Sequence, residues 1–196
     1  LLNKHKTELI KKQAIRIVEA LNNNNVEIVC TKGIVLDTLL YDNKGYRFLS
    51  DVDFMAKQED KDVIRSVIED LGFTVGTVDW KSNSVIPMER VQYLTYINTV
   101  DKLPEYVISL DDSLFKYVSV GFVFSFSWPK CQYHIDVAEA LKKGICQVPT
   151  GLGVGSCFPA LQHSYHFIYI IMHLYKHAWL EHFIYKRNDV NLVKFA

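Results

Sequence analysis

The chain has 196 residues, 49% of them hydrophobic, which is enough for one domain with a substantial core and part of a second. Its 22 basic residues balance its 22 acidic residues, which disfavours nucleic-acid binding through a basic surface and favours a small-molecule or protein partner. The four cysteines have no zinc-site spacing, and the longest strongly apolar run, Phe167 to Met172, is too short to span a bilayer, so we expect a cytoplasmic protein.

The first part of the chain predicts helices alternating with strands. Apolar residues recur at helical spacing near the start, and a run of asparagines ends that pattern at 22–25. The predicted elements, in order, are a helix over 4–22, a strand over 26–30, a helix over 34–41, a β-rich run over 51–54, a helix over 60–71 and a strand over 73–78.

Thr31-Lys32-Gly33 lies at the junction between the first strand and the second helix. A glycine there lets backbone N–H groups and the positive end of the helix dipole approach a phosphate closely. A lysine next to a glycine is a common pair by itself, so its significance depends on what accompanies it.

Two carboxylates, Asp51 and Asp53, stand one residue apart in the β-rich run. Side chains at i and i+2 of a strand share a face, so both acids project together while Val52 and Phe54 enter the core. Neighbouring carboxylates are tolerated where a cation compensates them, and magnesium takes one or two carboxylates plus phosphate oxygens. The alternative is a solvated strand end. Together with the preceding glycine turn, the pair predicts a divalent metal held over a triphosphate.

The second part of the chain predicts a β-rich region and then a helix. Strands are predicted over 92–97, 105–110, 115–128 and 132–137, with a turn at 111–113. The glycines between Gly151 and Gly155 lack the strand and spacing of a dinucleotide fingerprint, and they predict a flexible linker. We therefore expect domains at 1–150 and 158–196.

Four of the seven histidines lie between His163 and His177. His173 and His177 are four residues apart, which places both on one helical face, a spacing that metal sites use. Packing against neighbouring apolar residues explains the same spacing. The sequence names no third ligand, so both interpretations stay open.

The runs Cys30–Tyr41 and Arg47–Phe54 resemble the K-G-x-x-L-x-x-x-x-Y and R-x-x-x-D-[IV]-D motifs of the uncharacterised nucleotidyltransferase family. That family is part of the DNA polymerase β-like superfamily. A looser resemblance covers His173–Trp179, which is similar to H-x-x-K-H-[AG]-W. The resemblance implies an α+β fold, a mixed sheet flanked by helices, within a longer chain whose C-terminal helical domain starts in the last segment.

The superfamily uses a third carboxylate on a neighbouring strand, and Asp136 in the alternating run Tyr133–Val137 is the candidate. By resemblance, Asp136 is a general base or a further metal ligand. The family often has histidine and tryptophan just after this acid, where this chain has alanine and Glu139. Glu139 or His134 is therefore an alternative to Asp136.

The resemblance implies transfer of a nucleoside monophosphate from an NTP, ATP being the first choice, to an unknown small-molecule or protein acceptor. Asp51 and Asp53 bind Mg2+ or Mn2+, and Lys32 and Gly33 contact the triphosphate. Arg47 either neutralises the leaving group or pairs with an aspartate. The alternatives are a non-catalytic, antitoxin-like binding module with the same fold, and a phosphoester hydrolase using the same acids.

Overall fold

The computed structural model describes residues 2–79, 81–82, 84–127, 131 and 133–176. Within them, helices flank a mixed sheet, and the predicted α+β fold is confirmed. The helices are α1 (Leu2–Asn23), α2 (Gly33–Tyr41), α3 (Lys61–Asp70), α4 (Arg90–Asn98), α5 (Val137–Lys143) and α6 (His163–Tyr175). The strands are β1 (Ile28–Thr31), β2 (Asp51–Ala56), β3 (Thr74–Asp79), β4 (Ser84–Pro87), β5 (Tyr106–Ser109), β6 (Tyr117–Val123), β7 (Ile145–Pro149) and β8 (Cys157–Leu161).

The sheet runs in the order β4-β3-β5-β6-β2-β1-β8-β7, so β2 is an interior strand. β2 pairs antiparallel with β1, where Thr31 is opposite Asp53, and parallel with β6, where Gly121 is opposite Asp53. Hairpins β3–β4 and β7–β8 form the two edges. The predicted alternation of strands and helices is confirmed from β1 to β3. None of the described helices is long and apolar enough to cross a membrane.

The two faces of β2 bury different side chains. Val52 and Phe54 are fully buried in the cluster that includes α1 and α3, as predicted. Met55, one residue on, belongs instead to the cluster formed with α5 and α6. Because side chains alternate along a strand, Asp51 and Asp53 project toward the face that carries α5 and α6.

Helix α1 holds α2 in place through one apolar stripe and one buried ion pair. Ile10, Ala14 and Ile17 repeat at helical spacing and are fully buried, each large aliphatic side chain contributing about 2 kcal/mol. Lys11 Nζ donates to Asp37 Oδ2 of α2 at 2.7 Å, with both side chains almost fully buried. Loss of either charge would leave the other uncompensated in the core, so the pair fixes the position of α2 against α1.

The strand predicted over 92–97 is wrong, because these residues lie in the helix α4. Tyr93 N donates to Glu89 O at 2.9 Å, which closes the first helical turn. No residue of α4 is buried, so the alternation of apolar and polar residues there does not reflect packing onto a sheet.

Two further strand predictions need correction. β6 ends at Val123 because the next amide, Phe124 N, bonds to Asp101 O, outside the named strands. Of the predicted strand 132–137, the described residues 133–136 are irregular and Val137 begins α5. Trp128 and Gln132 lie outside the described residues.

The glycine run Gly151–Gly155 was predicted to be a flexible linker. In the structure it forms the connection of the β7–β8 hairpin. Gly151 and Gly155 both have positive φ, which suits the reversal of the chain between two antiparallel strands. β8 continues into the interior of the sheet by pairing parallel with β1. The division into domains at 150 and 158 stays a prediction, and residues 177–196 lie outside the described part.

Candidate active site

The turn between β1 and α2 has an unusual backbone. Lys32 has φ 53° and ψ −124°, a conformation that favours glycine, and Gly33 is the first residue of α2. The absence of a side chain at Gly33 also matters for packing within the protein. A Cβ on Gly33 would lie 2.9 Å from Leu49 Cδ2 and 3.5 Å from Arg47 Nε. Gly33 therefore allows the segment before β2 to approach the start of α2.

The Arg47 side chain lies against this turn. Its Nε is buried and has no hydrogen-bond partner in the described structure. Arg47, Lys32 and the start of α2 thus bring two positively charged side chains and backbone N–H groups to one surface. Such a surface is suited to binding a phosphate.

Asp51 and Asp53 have different neighbours although they share one strand face. Ser50 Oγ donates to Asp51 Oδ1 at 2.9 Å. Lys32 Nζ lies 3.1 Å from Asp53 Oδ1, and both of these side chains are about four-fifths buried. The structure therefore brings the lysine of the turn into direct contact with the predicted metal-binding acid.

The turn and the two aspartates line a cleft with two arms. The turn arm, about 300 Å³, is lined by Gly33, Arg47 and Ser50 among others. The sheet arm, about 320 Å³, is lined by residues from several parts of the chain, including Tyr96, Lys102, Glu105, Phe126 and Lys176. Both arms share a common set of residues: Lys32, Asp51, Asp53 and His173.

Glu105 is a third carboxylate in this cleft, and the sequence reasoning missed it. It precedes β5, whose first residue Tyr106 is opposite Val120 of β6. Burial raises the pKa of Glu105; the negative charges of Asp51 and Asp53 raise it further, while a hydrogen bond with Ser119 opposes the shift. An acid at the start of a strand has no local signature, so only the pairing of β5 with β6 reveals Glu105.

Asp136 is not brought to the cleft. Its carboxylate caps α5 by accepting a hydrogen bond from Ala138 N at 2.9 Å, so the predicted strand position facing the two aspartates is wrong. Glu139 forms an ion pair with Lys143. His134 Nδ1 lies 3.4 Å from Ser127 Oγ. None of the three candidate polar residues lines either arm.

Helix α6 contributes Tyr169 and His173 to the wall of the cleft, and His166 contacts the turn from outside it. Lys32 N donates to His166 Nε2 at 2.9 Å. Burial and the nearby His163 lower the pKa of His166 to about 4, so the imidazole is neutral near pH 7. Burial, chiefly, raises the pKa of Tyr169, which hydrogen bonds with Thr31.

The two interpretations of the histidine pair stay predictions. His173 lines both arms of the cleft, while His177 and Trp179 of the same motif lie outside the described residues.

The donor set of the cleft fits a magnesium-type ion that is completed by substrate. In the described parts of the chain, no group of three or more His, Cys, Asp or Glu is arranged to hold a metal. Asp51 and Asp53 supply hard carboxylate oxygens, and magnesium needs no more than one or two of these beside phosphates and water. A Cβ on Gly121 would lie 3.2 Å from Asp53 Oδ1, so the glycine keeps space open at that oxygen.

Comparison with protein-family models matches residues 1–193 to a family described as uncharacterised nucleotidyltransferases. The chain belongs to this family. The resemblance of the two sequence motifs to the uncharacterised nucleotidyltransferases is thereby confirmed. A search of curated proteins finds no match to the sequence.

A solved structure from Thermotoga maritima, described as a "putative nucleotidyltransferase", has the same fold. It superposes with a TM-score of 0.52 at 14% identity, over 90% of this chain and 92% of that one. At this identity the similarity concerns the fold alone. It agrees with the α+β nucleotidyltransferase architecture expected of the family.

Proposed function

We propose that this protein transfers a nucleoside monophosphate from an NTP to a small-molecule or protein acceptor, in a reaction that depends on Mg2+ or Mn2+. ATP is the first candidate donor. The observation that carries the proposal is the direct contact between Lys32 of the turn and Asp53 of β2, within one cleft. Phosphate-binding and metal-binding groups thus serve the same ligand.

The turn arm holds the triphosphate. Lys32, Arg47 and the first N–H groups of α2 present positive charge and donors on one side of the cleft. Arg47 has a buried Nε without a partner, and a phosphate oxygen satisfies such a donor. These groups also stabilise the charge that develops on the departing pyrophosphate.

Asp51 and Asp53 are the residues that would hold the metal ion. A divalent ion bound there would neutralise phosphate charge and act as a Lewis acid on the phosphoryl group. Ser50 orients the Asp51 carboxylate through its hydroxyl group. Gly121 leaves Asp53 Oδ1 accessible from the sheet arm. Most of the protein's contribution is positioning and electrostatics, as in phosphoryl transfer generally.

Glu105 takes the role of third acid that the sequence assigned to Asp136. The acceptor hydroxyl lies in the sheet arm and gives its proton to the Glu105 carboxylate, while its oxygen forms a bond to the α-phosphorus. The bond from the α-phosphorus to the bridging oxygen breaks, and pyrophosphate leaves with that electron pair. The products are the nucleotidylated acceptor and pyrophosphate.

Thermal unfolding with nucleotide and metal tests the binding site. ATP with Mg2+ is expected to stabilise the protein by about 2.7 kcal/mol at a hundredfold excess over Kd, and ATP without metal by much less. Asp53→Asn removes a metal ligand and abolishes the metal-dependent part. Asp70→Asn, an exposed acid at the end of α3, is the matched control and keeps it. An unchanged shift in Asp53→Asn would place the nucleotide elsewhere.

Labelled nucleotides test the chemistry. Incubation with NTPs labelled at the α-phosphate and a cell extract is expected to label an acceptor, whereas label at the γ-phosphate leaves as pyrophosphate. Release of labelled inorganic phosphate without acceptor labelling would indicate a hydrolase. Binding without turnover of any NTP would indicate the non-catalytic module.

A further inference from the structure

The backbone of Lys32 is strained in the turn that positions the Lys32 side chain in the cleft. Its φ of 53° with ψ −124° is a conformation that L-residues with a side chain rarely adopt. Such a residue persists only when the surrounding structure fixes it. The contacts that fix Lys32 therefore determine whether the turn keeps its form.

One of these contacts comes from a residue 134 positions later in the chain. Lys32 N donates to His166 Nε2 at 2.9 Å, while Lys32 O accepts from Leu36 N within α2. The His166 side chain is buried, with 3% of its surface exposed. A ring nitrogen accepts a hydrogen bond only when it carries no proton, so His166 is neutral with its proton on Nδ1.

The same turn is held from a second side by α6. Tyr169, one helical turn after His166, hydrogen bonds with Thr31 and lies beneath Lys32, whose Nζ is 5.9 Å from the ring centroid. Lys32 Nζ reaches Asp53 Oδ1 from this position. His166 itself lines neither arm of the cleft, so its effect passes through the backbone of Lys32.

We propose that His166 is a positioning residue for the nucleotide: its Nε2 lone pair holds the Lys32–Gly33 turn in the form that presents the Lys32 ammonium and the α2 N–H groups to the polyphosphate. This inference rests on the proposed function for its ligand. The hydrogen bond itself exists without any ligand. The two ideas are therefore tested separately.

NMR of the protein with 15N-labelled histidine tests the hydrogen bond without nucleotide. The His166 Nε2 signal is expected to be that of an unprotonated nitrogen at pH 7, with a scalar coupling to the Lys32 amide nitrogen across the hydrogen bond. A protonated Nε2, or a Lys32 amide that exchanges with solvent as fast as an exposed one, would overturn the proposal. Neither result depends on whether the protein is an enzyme.

Substitution of His166 tests the effect on nucleotide binding. His166→Phe keeps the bulk of the ring but has no acceptor, and it is expected to raise the KM for the NTP about tenfold or more with a smaller change in kcat. His166→Gln restores an acceptor through its amide oxygen and is expected to recover most of the affinity. His163→Gln, at an exposed position on α6, is the matched control with unchanged KM.

An equal increase in KM in His166→Phe and His166→Gln would mean that His166 acts only by packing, which contradicts the proposal. A normal KM in His166→Phe would also contradict it. Should His166→Phe not fold, the Gln variant and the NMR measurement still decide it. Failure of the unaltered protein to bind any NTP would contradict the proposed function instead.

Discussion

Asp51, Asp53 and Glu105 all line the cleft, and their surroundings separate their proposed roles. Asp51 accepts a hydrogen bond from Ser50, and Asp53 is paired with Lys32. Burial and the charges of these two aspartates raise the pKa of Glu105. A group that takes up a proton during the reaction benefits from such a shift.

Exchange of single carboxylates for amides distinguishes the two candidates for the third acid. Glu105→Gln is expected to keep metal-dependent NTP binding and to lower transfer by about a hundredfold or more, because the acceptor loses its base. Asp136→Asn is the matched variant; asparagine is also a good N-cap, so the fold and transfer are retained. Transfer rates with thermal shifts measure both. Lost transfer in Asp136→Asn beside normal transfer in Glu105→Gln would return the role to Asp136.

At the scale of elements, Gly121 of β6 leaves space beside the Asp53 carboxylate of the neighbouring strand β2. Gly121→Ala adds a methyl group 3.2 Å from Asp53 Oδ1, and we expect weaker metal-dependent nucleotide binding with little loss of fold. Gly153→Ala is the matched control, since a Cβ there meets nothing within 4 Å. Thermal shifts with ATP and Mg2+ measure the effect. Equal shifts in both variants would mean that the space beside Asp53 is not used.

The elements that the sequence predicts well are those with local signals. The β1–α2–β2 segment combines buried strands, a glycine junction and two acids at i and i+2, and every one of these features depends on neighbours in the chain. The run Tyr133–Val137 has the same alternation but no partner strand, and Asp136 instead caps a helix. Alternation identifies a face only when a second strand is present to pair with.

The parts of the site that the sequence did not reveal depend on contacts between residues that are far apart in the sequence. Glu105 reaches the cleft because β5 pairs with β6, and His166 reaches Lys32 because α6 packs on the sheet. Neither residue stands in a motif. The spacing of residues in one chain segment contains no information about such contacts.

At the scale of the whole molecule, the sheet extends beyond the predicted first domain. β8 lies between β1 and β7 and contributes the fully buried side chains of Phe158, Ala160 and Leu161. Their loss would expose an interior edge of β1 and remove about 2 kcal/mol for each large apolar side chain.

A fragment comprising residues 1–150 is therefore expected not to unfold cooperatively in urea, unlike the full chain. Circular dichroism through a urea titration measures the difference. A sharp transition for the fragment would support the predicted division at 150.

The hydrogen bond between Lys32 and His166 also has a consequence for the time at which the site is completed. It joins residues 134 positions apart. At a synthesis rate of about 5–20 residues per second, roughly 7–30 s separate their translation. A nascent chain thus carries both aspartates and the lysine turn well before the histidine that fixes the turn. We therefore expect the proposed nucleotide affinity to be acquired only after His166 has been synthesised, so that the ligand would not guide the first steps of folding.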